Sequence, residues 1–373
     1  MNERFTHHTR LSENIRRTGQ TVSIRPVFAA LTLALVLNGC TEQQGYRQLS
    51  GYAQGGTWSV KYNAAGVKAR QDEVQKGIEA ILKDIDTTLS GYNKGSQLSR
   101  LNAGDTIRPS GMLIAMYDYG YNVWKETEGA VDVAAGPLFD IWGFGFKNDS
   151  LPSAGKVAAT MAASGMRRLV PTMEEALTED GRLYRERLVR NEGTTEGPVL
   201  NFNAVAQGYS CDTVASYLSK LGVRDMLVDI GEIWCRGVNP SGKPWKIGVD
   251  RPKDGNNTPG ADLDGIWESA GNGGQGIVTS GNYRKFYVKD GRKVSHTIDP
   301  RSGYPAENSL LSATVTAPTA SAADAYATYC MVIGYEASKR FIESRADLEG
   351  YLIYATPDGG MAEWASPGFR LVK

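Results

Sequence analysis

Residues 321–334, "SAADAYATYCMVIG", carry an acid and a hydroxyl whose spacing suits metal chemistry. The segment predicts a helix, and Asp324 and Thr328 lie four positions apart, which places both side chains on one face, one turn apart. Hard oxygen ligands suit Mg²⁺, which keeps several waters and usually shares its shell with substrate phosphates. An aspartate that stabilises the first helical turn and a threonine packed in a core would give the same pattern, so the spacing alone leaves both interpretations open.

His296 is the second candidate, in the turn-rich stretch "RKVSHTIDPRSGYP". The chain has three histidines, and His7 and His8 precede a predicted cleavage site, so the mature protein would keep one. An imidazole can act as a general base near neutral pH. Asp299, three residues on, could orient it if the turn brings the two together. The alternative is a half-exposed histidine of a hairpin.

Residues 201–210, "NFNAVAQGYS", place amide side chains before the predicted start of a helix. Helix N-termini favour anions because their first N–H groups lack intrahelical partners. The segment is therefore a candidate phosphate site, although an ordinary capped helix would look the same.

Residues 271–276, "GNGGQG", match the pattern of a dinucleotide-binding loop. That loop needs a strand before it and a helix after it. Here the strand-like "IVTSG" follows, so the sequence argues against a Rossmann site and predicts a turn.

The N-terminus predicts export. The apolar run from Val27 to Leu37 has the length of a signal-peptide core and is too short to span a bilayer. It ends in Leu37-Asn38-Gly39-Cys40, a bacterial lipobox pattern. We expect residues 1–39 to be a signal peptide, Cys40 to carry a lipid anchor, residues 40–50 to be a tether and residues 51–373 to be the functional domain. The alternative is a simple secretory signal with an incidental cysteine.

Composition narrows the classes of partner. Without residues 1–39 the chain keeps 36 basic and 39 acidic residues, so no basic excess indicates nucleic-acid binding. Cys211, Cys235 and Cys330 are scattered and odd in number, which argues against a disulfide framework or a zinc site and favours buried apolar cysteines.

Periodicity predicts an α+β fold with hairpins, because strands cluster instead of alternating regularly with helices. The pair Gly136-Pro137 is expected to break helical rhythm, and residues 146–156 to form a loop. Helices are predicted over 72–90, 111–129, 156–165, 204–223, 321–334 and 335–344. Strands are predicted over 225–231, 245–250, 276–281, 284–291, 292–299, 309–318 and 350–356, before a C-terminal tail.

From about Gly51 to the end, the chain resembles the ApbE-type FAD:protein FMN transferases. The resemblance rests on nine segments in family order: "GYAQGGTWSVKY", "SGYNKGSQLSRLN", "GAVDVAAGPLFDIWGFG", "NFNAVAQGYSCD", "LVDIGEI", "KPWKIGVDRP", "IVTSGNYRKFY", "SHTIDPRSGYP" and residues 321–334. It implies an ApbE-like, T-fold-like arrangement of mixed or antiparallel sheets with flanking helices, in two closely joined lobes.

The same resemblance implies an activity and its residues. The enzyme would bind FAD and Mg²⁺, cleave the pyrophosphate, transfer FMN to a Thr or Ser hydroxyl of a partner flavoprotein and release AMP. His296 would be the base that takes the acceptor's proton. The metal ligands would be Asp324, Thr328 and the backbone carbonyl of Ala204. FAD would contact Gln54, Tyr92, Ala130, Val131, Asp132, Asn201, Gln207 and the backbone of Ile298.

The resemblance also implies a location and partners. The protein would be lipid-anchored on the periplasmic side of the inner or outer membrane of a Gram-negative-type bacterium. Its acceptors would be flavoproteins of membrane redox complexes. Two alternatives remain open: an FAD pyrophosphatase that yields FMN and AMP, and a catalytically impaired FAD-binding lipoprotein.

The chain departs from the family pattern at three places. It has Gly231-Glu232 where the family usually has Gly-Gly-Glu, and the loss of a glycine shifts the register or demands a new backbone conformation. Gln54 and Gly56 lie where many relatives have Met-Gly-Thr. Gln207 replaces a common lysine, so the side chain can hydrogen-bond to a phosphate but lacks the charge.

Overall fold

The computed structural model describes residues 45–373 except 145–150, 191–196, 254, 257, 259, 271–272, 284–285 and 290–291. The predicted signal peptide and Cys40 lie outside the described residues. The described residues belong to one compact unit. Within them, no helix is both long enough and apolar enough to cross a membrane.

The helices are α1 (Gln71–Leu89), α2 (Gln97–Ala103), α3 (Gly111–Glu126), α4 (Gly136–Ile141), α5 (Ala154–Ala163), α6 (Met173–Ala176), α7 (Arg185–Leu188), α8 (Ala206–Lys220), α9 (Ala320–Ile333) and α10 (Tyr335–Glu343). The strands are β1 (Tyr46–Ala53), β2 (Gly56–Asn63), β3 (Met226–Asp229), β4 (Ile233–Arg236), β5 (Lys246–Asp250), β6 (Leu263–Glu268), β7 (Gln275–Gly281), β8 (Phe286–Lys289), β9 (Arg292–Ser295), β10 (Ile298–Asp299), β11 (Tyr304–Pro305), β12 (Leu310–Ala317), β13 (Glu349–Ala355), β14 (Met361–Ala365) and β15 (Leu371–Val372).

An eight-stranded antiparallel sheet organises the molecule, in the order β1-β2-β3-β4-β7-β12-β13-β14. Apolar side chains of β2 and β3 pack against α1 and α8, and those of β12 and β13 pack against α9 and α10. A three-stranded sheet, β15-β6-β5, buries Trp245 and Trp267 with residues of β4, β7 and β13. The predicted α+β class with antiparallel sheets and flanking helices is confirmed.

Most predicted elements are present, and α1, α3, α8, α9 and α10 overlap their predicted ranges. The prediction that Gly136-Pro137 breaks helical rhythm is wrong, since α4 begins at Gly136 with Pro137 in its first turn. Proline suits that position because its missing N–H would have no intrahelical partner there. The predicted C-terminal tail contains β14 and β15.

Two further expectations can be compared with the structure. β7 begins at Gln275, so a strand does follow the glycine-rich stretch, as the argument against a Rossmann site required. Cys211, Cys235 and Cys330 are free and buried, which confirms their prediction as core residues.

Candidate functional site

The site is built around a close crossing of α8 and α9. A Cβ on Gly208 would lie less than 3 Å from the carbonyl of Ala320 and the amide nitrogen of Ser321. The absence of a side chain lets the two helices touch at this point. There the Gly208 N–H donates to Oδ2 of Asp324 at 3.2 Å.

Asp324 is a buried carboxylate with chemistry that suits a cation. Burial raises its pKa to about 8, the Gly208 N–H opposes the rise, and the negative charge of Asp212 adds to it. The charged group that acts on Asp324 is thus another acid. A carboxylate in such surroundings either holds a proton or binds a positive ion. The environment therefore fits the predicted metal ligand.

The other two predicted metal ligands lie four residues from the two partners of the Gly208–Asp324 hydrogen bond. Thr328 is half-buried, one turn beyond Asp324 on α9. Ala204 is half-buried in the turn that leads into α8, four residues before Gly208. In the part of the chain that the structure describes, no three or more His, Cys, Asp or Glu side chains gather as a metal cage. A cation here would complete its shell with water and substrate oxygens, as Mg²⁺ commonly does.

Asp212 belongs to the site and was not predicted from the sequence. Its carboxylate accepts hydrogen bonds from the amides of Ala320, at 2.7 Å, and Ser321, at 2.9 Å, and from the hydroxyl of Ser321. Burial raises its pKa, and these three bonds oppose the rise. Its position four residues after Gly208, and so on the same face of α8, was the available signal.

Two of the predicted FAD-contacting residues reach α8. Gln54 lies at the tip of the β1–β2 hairpin, and its Nε2 donates to Oγ of Ser210 at 2.6 Å. Gln54 and Gly55 have φ of 53° and 78°, as in a two-residue type I′ turn. Gln207, in the first turn of α8, donates to the carbonyl of Ile230 at 3.4 Å. Gln54 therefore reaches the first half of α8, and Gln207 links the first turn of α8 to the turn between β3 and β4.

A second group of predicted residues consists of the segment Ala130–Asp132 and its neighbour Asn201. The backbone N–H of Asn201 donates to the backbone carbonyl of Val133 at 2.7 Å, so Asn201 lies beside this segment. Asp132 accepts from the amides of Ala134, at 2.8 Å, and Met166, at 3.1 Å. Burial raises its pKa to about 6 despite these bonds.

The segment that carries His296 lies between two cavities. Pro300 and Arg301 line a cavity of about 250 Å³ that also contains Asp132. Ser295 and Tyr304 line a cavity of about 780 Å³. The rest of the smaller cavity is formed by Trp124, Glu128, Gly129, Ala135, Leu138, Met161, Ser164, Gly165 and Arg167.

His296 follows β9 and is half-buried, and its ring packs against Phe144 in a T-shaped arrangement with the ring centroids 6.3 Å apart. Asp299, considered from the sequence as its orienting group, binds Arg301 through both oxygens at 2.9 Å. Arg301 also interacts electrostatically with Tyr329, the neighbour of Thr328. The His296 segment and α9 therefore adjoin. Ile298 pairs with Pro305 in the short β10–β11 ladder.

Comparison with known proteins decides the family. The family model described as "ApbE family" matches residues 55–352. The chain belongs to the ApbE family. It is 31% identical to the FAD:protein FMN transferase of Haemophilus influenzae (strain ATCC 51907 / DSM 11121 / KW20 / Rd), over 91% of this chain and 95% of the relative. It is 32% identical to that of Escherichia coli (strain K12), over 92% and 95% of the two chains.

Solved structures of ApbE proteins share the fold. The flavin transferase ApbE from Vibrio cholerae aligns with a TM-score of 0.70 and 30% identity, over 86% of this chain and 97% of the other. The apo flavinyl transferase ApbE of Pseudomonas stutzeri aligns with a TM-score of 0.70 and 30% identity, over 86% and 95%. The resemblance inferred from the sequence motifs is thereby confirmed.

The missing glycine of the ApbE pattern falls in a three-residue turn, Ile230–Glu232, between β3 and β4. The Ile230 amide donates to the Glu232 carbonyl at 2.9 Å, and Gly231 has φ of +87°. Asp229 pairs with Ile233, and both strands keep their ladders to β2 and β7. The shortened turn is therefore accommodated by a left-handed glycine.

Tyr92, also expected to contact FAD from the ApbE resemblance, lies in the loop after α1. Its side chain is 66% exposed. Its backbone N–H donates to Oγ of Ser90 at 3.3 Å.

Proposed function

We propose that this protein is a Mg²⁺-dependent FAD:protein FMN transferase. The observation that carries the proposal is the environment of Asp324, a buried carboxylate that accepts a hydrogen bond from Gly208 in the first turn of α8 and is acted on by the negative charge of Asp212. Membership in the ApbE family and the names of the relatives support flavin transfer as the activity.

Asp324, Thr328 and the carbonyl of Ala204 would hold Mg²⁺. When bound, the cation would offset the charge of the FAD pyrophosphate and stabilise the departing AMP. Few protein ligands are needed, because phosphate oxygens and water complete the shell.

The first turn of α8 would receive the pyrophosphate. The N–H groups of Ala206 and Gly208 already donate to the Phe202 carbonyl and to Asp324. The helix dipole, which favours negative charge at this end, would be the main contribution of α8. Gln207 and Gln54 lie on this half of α8 and can donate amide hydrogens without adding charge. Asp132 lines the smaller cavity together with Trp124 and Leu138, and this cavity would hold one ring system of FAD. The remaining contacts to FAD would come from Ala130, Val131, Asn201 and Ile298.

His296 would take the proton of the acceptor hydroxyl. The freed oxygen would form a bond to the FMN phosphorus, while the bond between that phosphorus and the bridging oxygen breaks and AMP leaves with that oxygen. FMN then remains attached through a phosphoester. A well-placed base contributes about 10²–10⁴-fold to such a step.

The test is incubation of the purified protein with FAD, Mg²⁺ and purified exported flavoprotein domains, followed by mass spectrometry of every component. An acceptor that gains the mass of FMN, with equimolar AMP, supports the transferase. Free FMN and AMP without a labelled acceptor would indicate a pyrophosphatase. Intact bound FAD would indicate a flavin-binding protein. Asp324→Ala is expected to abolish transfer at every Mg²⁺ concentration, and a fully active, metal-dependent variant would contradict the metal assignment.

We also propose that the chain is exported and lipid-anchored at Cys40, where it would serve flavoproteins of membrane redox complexes. The lipobox residues 37–40 support this proposal. Cys40→Ser is expected to move the protein from the membrane fraction to the soluble fraction. A variant that stays with the membrane would contradict the anchor.

A further inference from the structure

We propose that Asp212 is a positioning residue for the cation site, an inference that rests on the function proposed above. Its carboxylate accepts hydrogen bonds from the first two backbone amides of α9, while Asp324 of α9 accepts one from a backbone amide of α8. Asp212 itself is placed as a support for the ligand-bearing helix and not as a ligand.

Each of the first four backbone amides of α9 donates to an acceptor. Asp212 accepts from Ala320 and Ser321, the side chain of Thr319 accepts from Ala322 at 3.2 Å, and the Thr319 carbonyl accepts from Ala323 at 3.1 Å. Helix-start amides lack intrahelical partners, so a carboxylate from another helix fixes both the position and the rotation of α9. That rotation sets the direction in which Asp324 points.

The two helices hold each other reciprocally. Gly208 and Asp212 are one turn apart on α8, and Ala320 and Asp324 are about one turn apart on α9. One hydrogen bond runs from α8 to Asp324, and two run from the α9 backbone to Asp212. A shift of either helix along its axis would break at least one of these bonds, so Asp324 stays in register with the turn that contains Ala204.

Asp212 also adds charge. Its carboxylate is close enough to Asp324 to act on it electrostatically. A second negative charge that does not itself bind the ion still strengthens the attraction for a divalent cation. Outer groups of this kind typically change metal affinity by about 10–100-fold when they are replaced.

The test is Mn²⁺ titration of the full chain, followed by electron paramagnetic resonance in the presence of FAD. Mn²⁺ shares the preference of Mg²⁺ for oxygen ligands. Asp212→Asn keeps the shape but loses the charge and one acceptor oxygen, so the Mn²⁺ dissociation constant is expected to rise about 10-fold. The Mg²⁺ concentration for half-maximal transfer should rise in parallel, while turnover at saturating Mg²⁺ and metal-free FAD binding change little. Ser321→Ala, which removes one of the three hydrogen bonds to Asp212, should give a smaller rise.

Asp118→Asn is the matched control. Asp118 of α3 accepts from the amide of Met173 at 3.1 Å, and so holds the start of another helix with a carboxylate. This variant should lower the thermal unfolding midpoint without changing Mn²⁺ affinity.

The outcomes separate this inference from the proposed function. If Asp212→Asn and Ser321→Ala lower the unfolding midpoint but leave Mn²⁺ affinity unchanged, the carboxylate is only a helix cap and the inference fails. If the wild-type protein with FAD binds no Mn²⁺, both the inference and the metal site fail. If the wild type binds Mn²⁺, loses affinity in Asp212→Asn and transfers no FMN, the inference stands and the transferase proposal falls.

Discussion

Gln207 and Gly231 lie against each other, so two positions at which this chain departs from the ApbE pattern are neighbours. Nε2 of Gln207 donates to the carbonyl of Ile230 at 3.4 Å, and a Cβ on Gly231 would lie less than 3 Å from that nitrogen. The amide that replaces the family lysine is therefore attached to the shortened turn. A substitution at either position is therefore expected to alter the conformation at the other.

Gly231→Ala is expected to lower the free energy of unfolding by about 1–2 kcal/mol, because φ of +87° places a Cβ too close to the following carbonyl. The new methyl also meets the end of Gln207, which is flexible and can move aside. Urea denaturation measures the change.

Gly222→Ala is the control, since Gly222 has φ of +91° with open space around it and shows the backbone effect alone. Measured against Gln207→Ala alone, the double variant Gly231→Ala, Gln207→Ala should lose the same free energy of unfolding as that control. If Gly231→Ala unfolds at the same urea concentration as the wild type, the left-handed turn is not needed.

Gly208→Ala is expected to disturb both stability and the cation site. Its methyl would meet the backbone of Ala320, which cannot rotate away, so α8 and α9 must separate. Overpacking of this kind typically costs about 1–3 kcal/mol. The Mg²⁺ concentration for half-maximal transfer should rise because the Gly208–Asp324 bond lengthens. Gly111→Ala, at an open position at the start of α3, should be neutral or stabilising. If Gly208→Ala shows the same Mg²⁺ dependence as the wild type, the close approach of α8 and α9 at Gly208 is not needed for the cation site.

His296→Ala is expected to slow FMN transfer by about 10²–10⁴-fold while FAD binding is kept. The ring is half-buried and packs against Phe144 in an edge-to-face arrangement, so stability is measured beside activity. Initial rates of acceptor labelling and quenching of FAD fluorescence measure the two effects. Phe144→Leu controls for the lost ring contact. Transfer at the wild-type rate in His296→Ala would remove the base assignment.

Asp132 should make stability fall as pH rises. Burial raises its pKa from 3.8 to about 6, so the folded protein holds a proton that the unfolded chain has lost between those values. The contribution of this group to the free energy of unfolding is fully present below pH 4. It is lost as the pH rises through 6, which lowers the free energy of unfolding by up to about 3 kcal/mol.

Asp132→Asn keeps an acceptor for Ala134 and Met166 and carries no charge. Relative to the wild type, it should gain stability between pH 4 and 6 when denaturation is measured without FAD or Mg²⁺. A constant difference across that range would show that the buried carboxyl ionises normally.

Local patterns predicted the parts of the site but not how they meet. The four-residue spacing of Asp324 and Thr328 correctly predicted α9 with both on one helix. The partner of Asp324, Gly208, is 116 positions away, and nothing local specifies which helix packs against α9. Asp212 was missed for the same reason, because its role depends on the helix that it meets.

Two elements were missed or misread for local reasons. The hairpin of β1 and β2 was not predicted, since β1 is an edge strand in which only Leu49 is buried and the alternating pattern is weak. The start of α4 was taken for a break, because Gly136-Pro137 has the composition of a turn although proline also suits the first turn of a helix.

The crossing of α8 and α9 has a consequence for how the protein matures. Its bonds join positions 116 and 108 apart in sequence, so neither the central third nor the C-terminal part of the chain can assemble the proposed ion-binding pocket by itself. Contacts between such distant positions require closure of a long loop and form late in folding. Uptake of the divalent ion should therefore report that the domain has been completed, and a chain truncated before α9 should never acquire it.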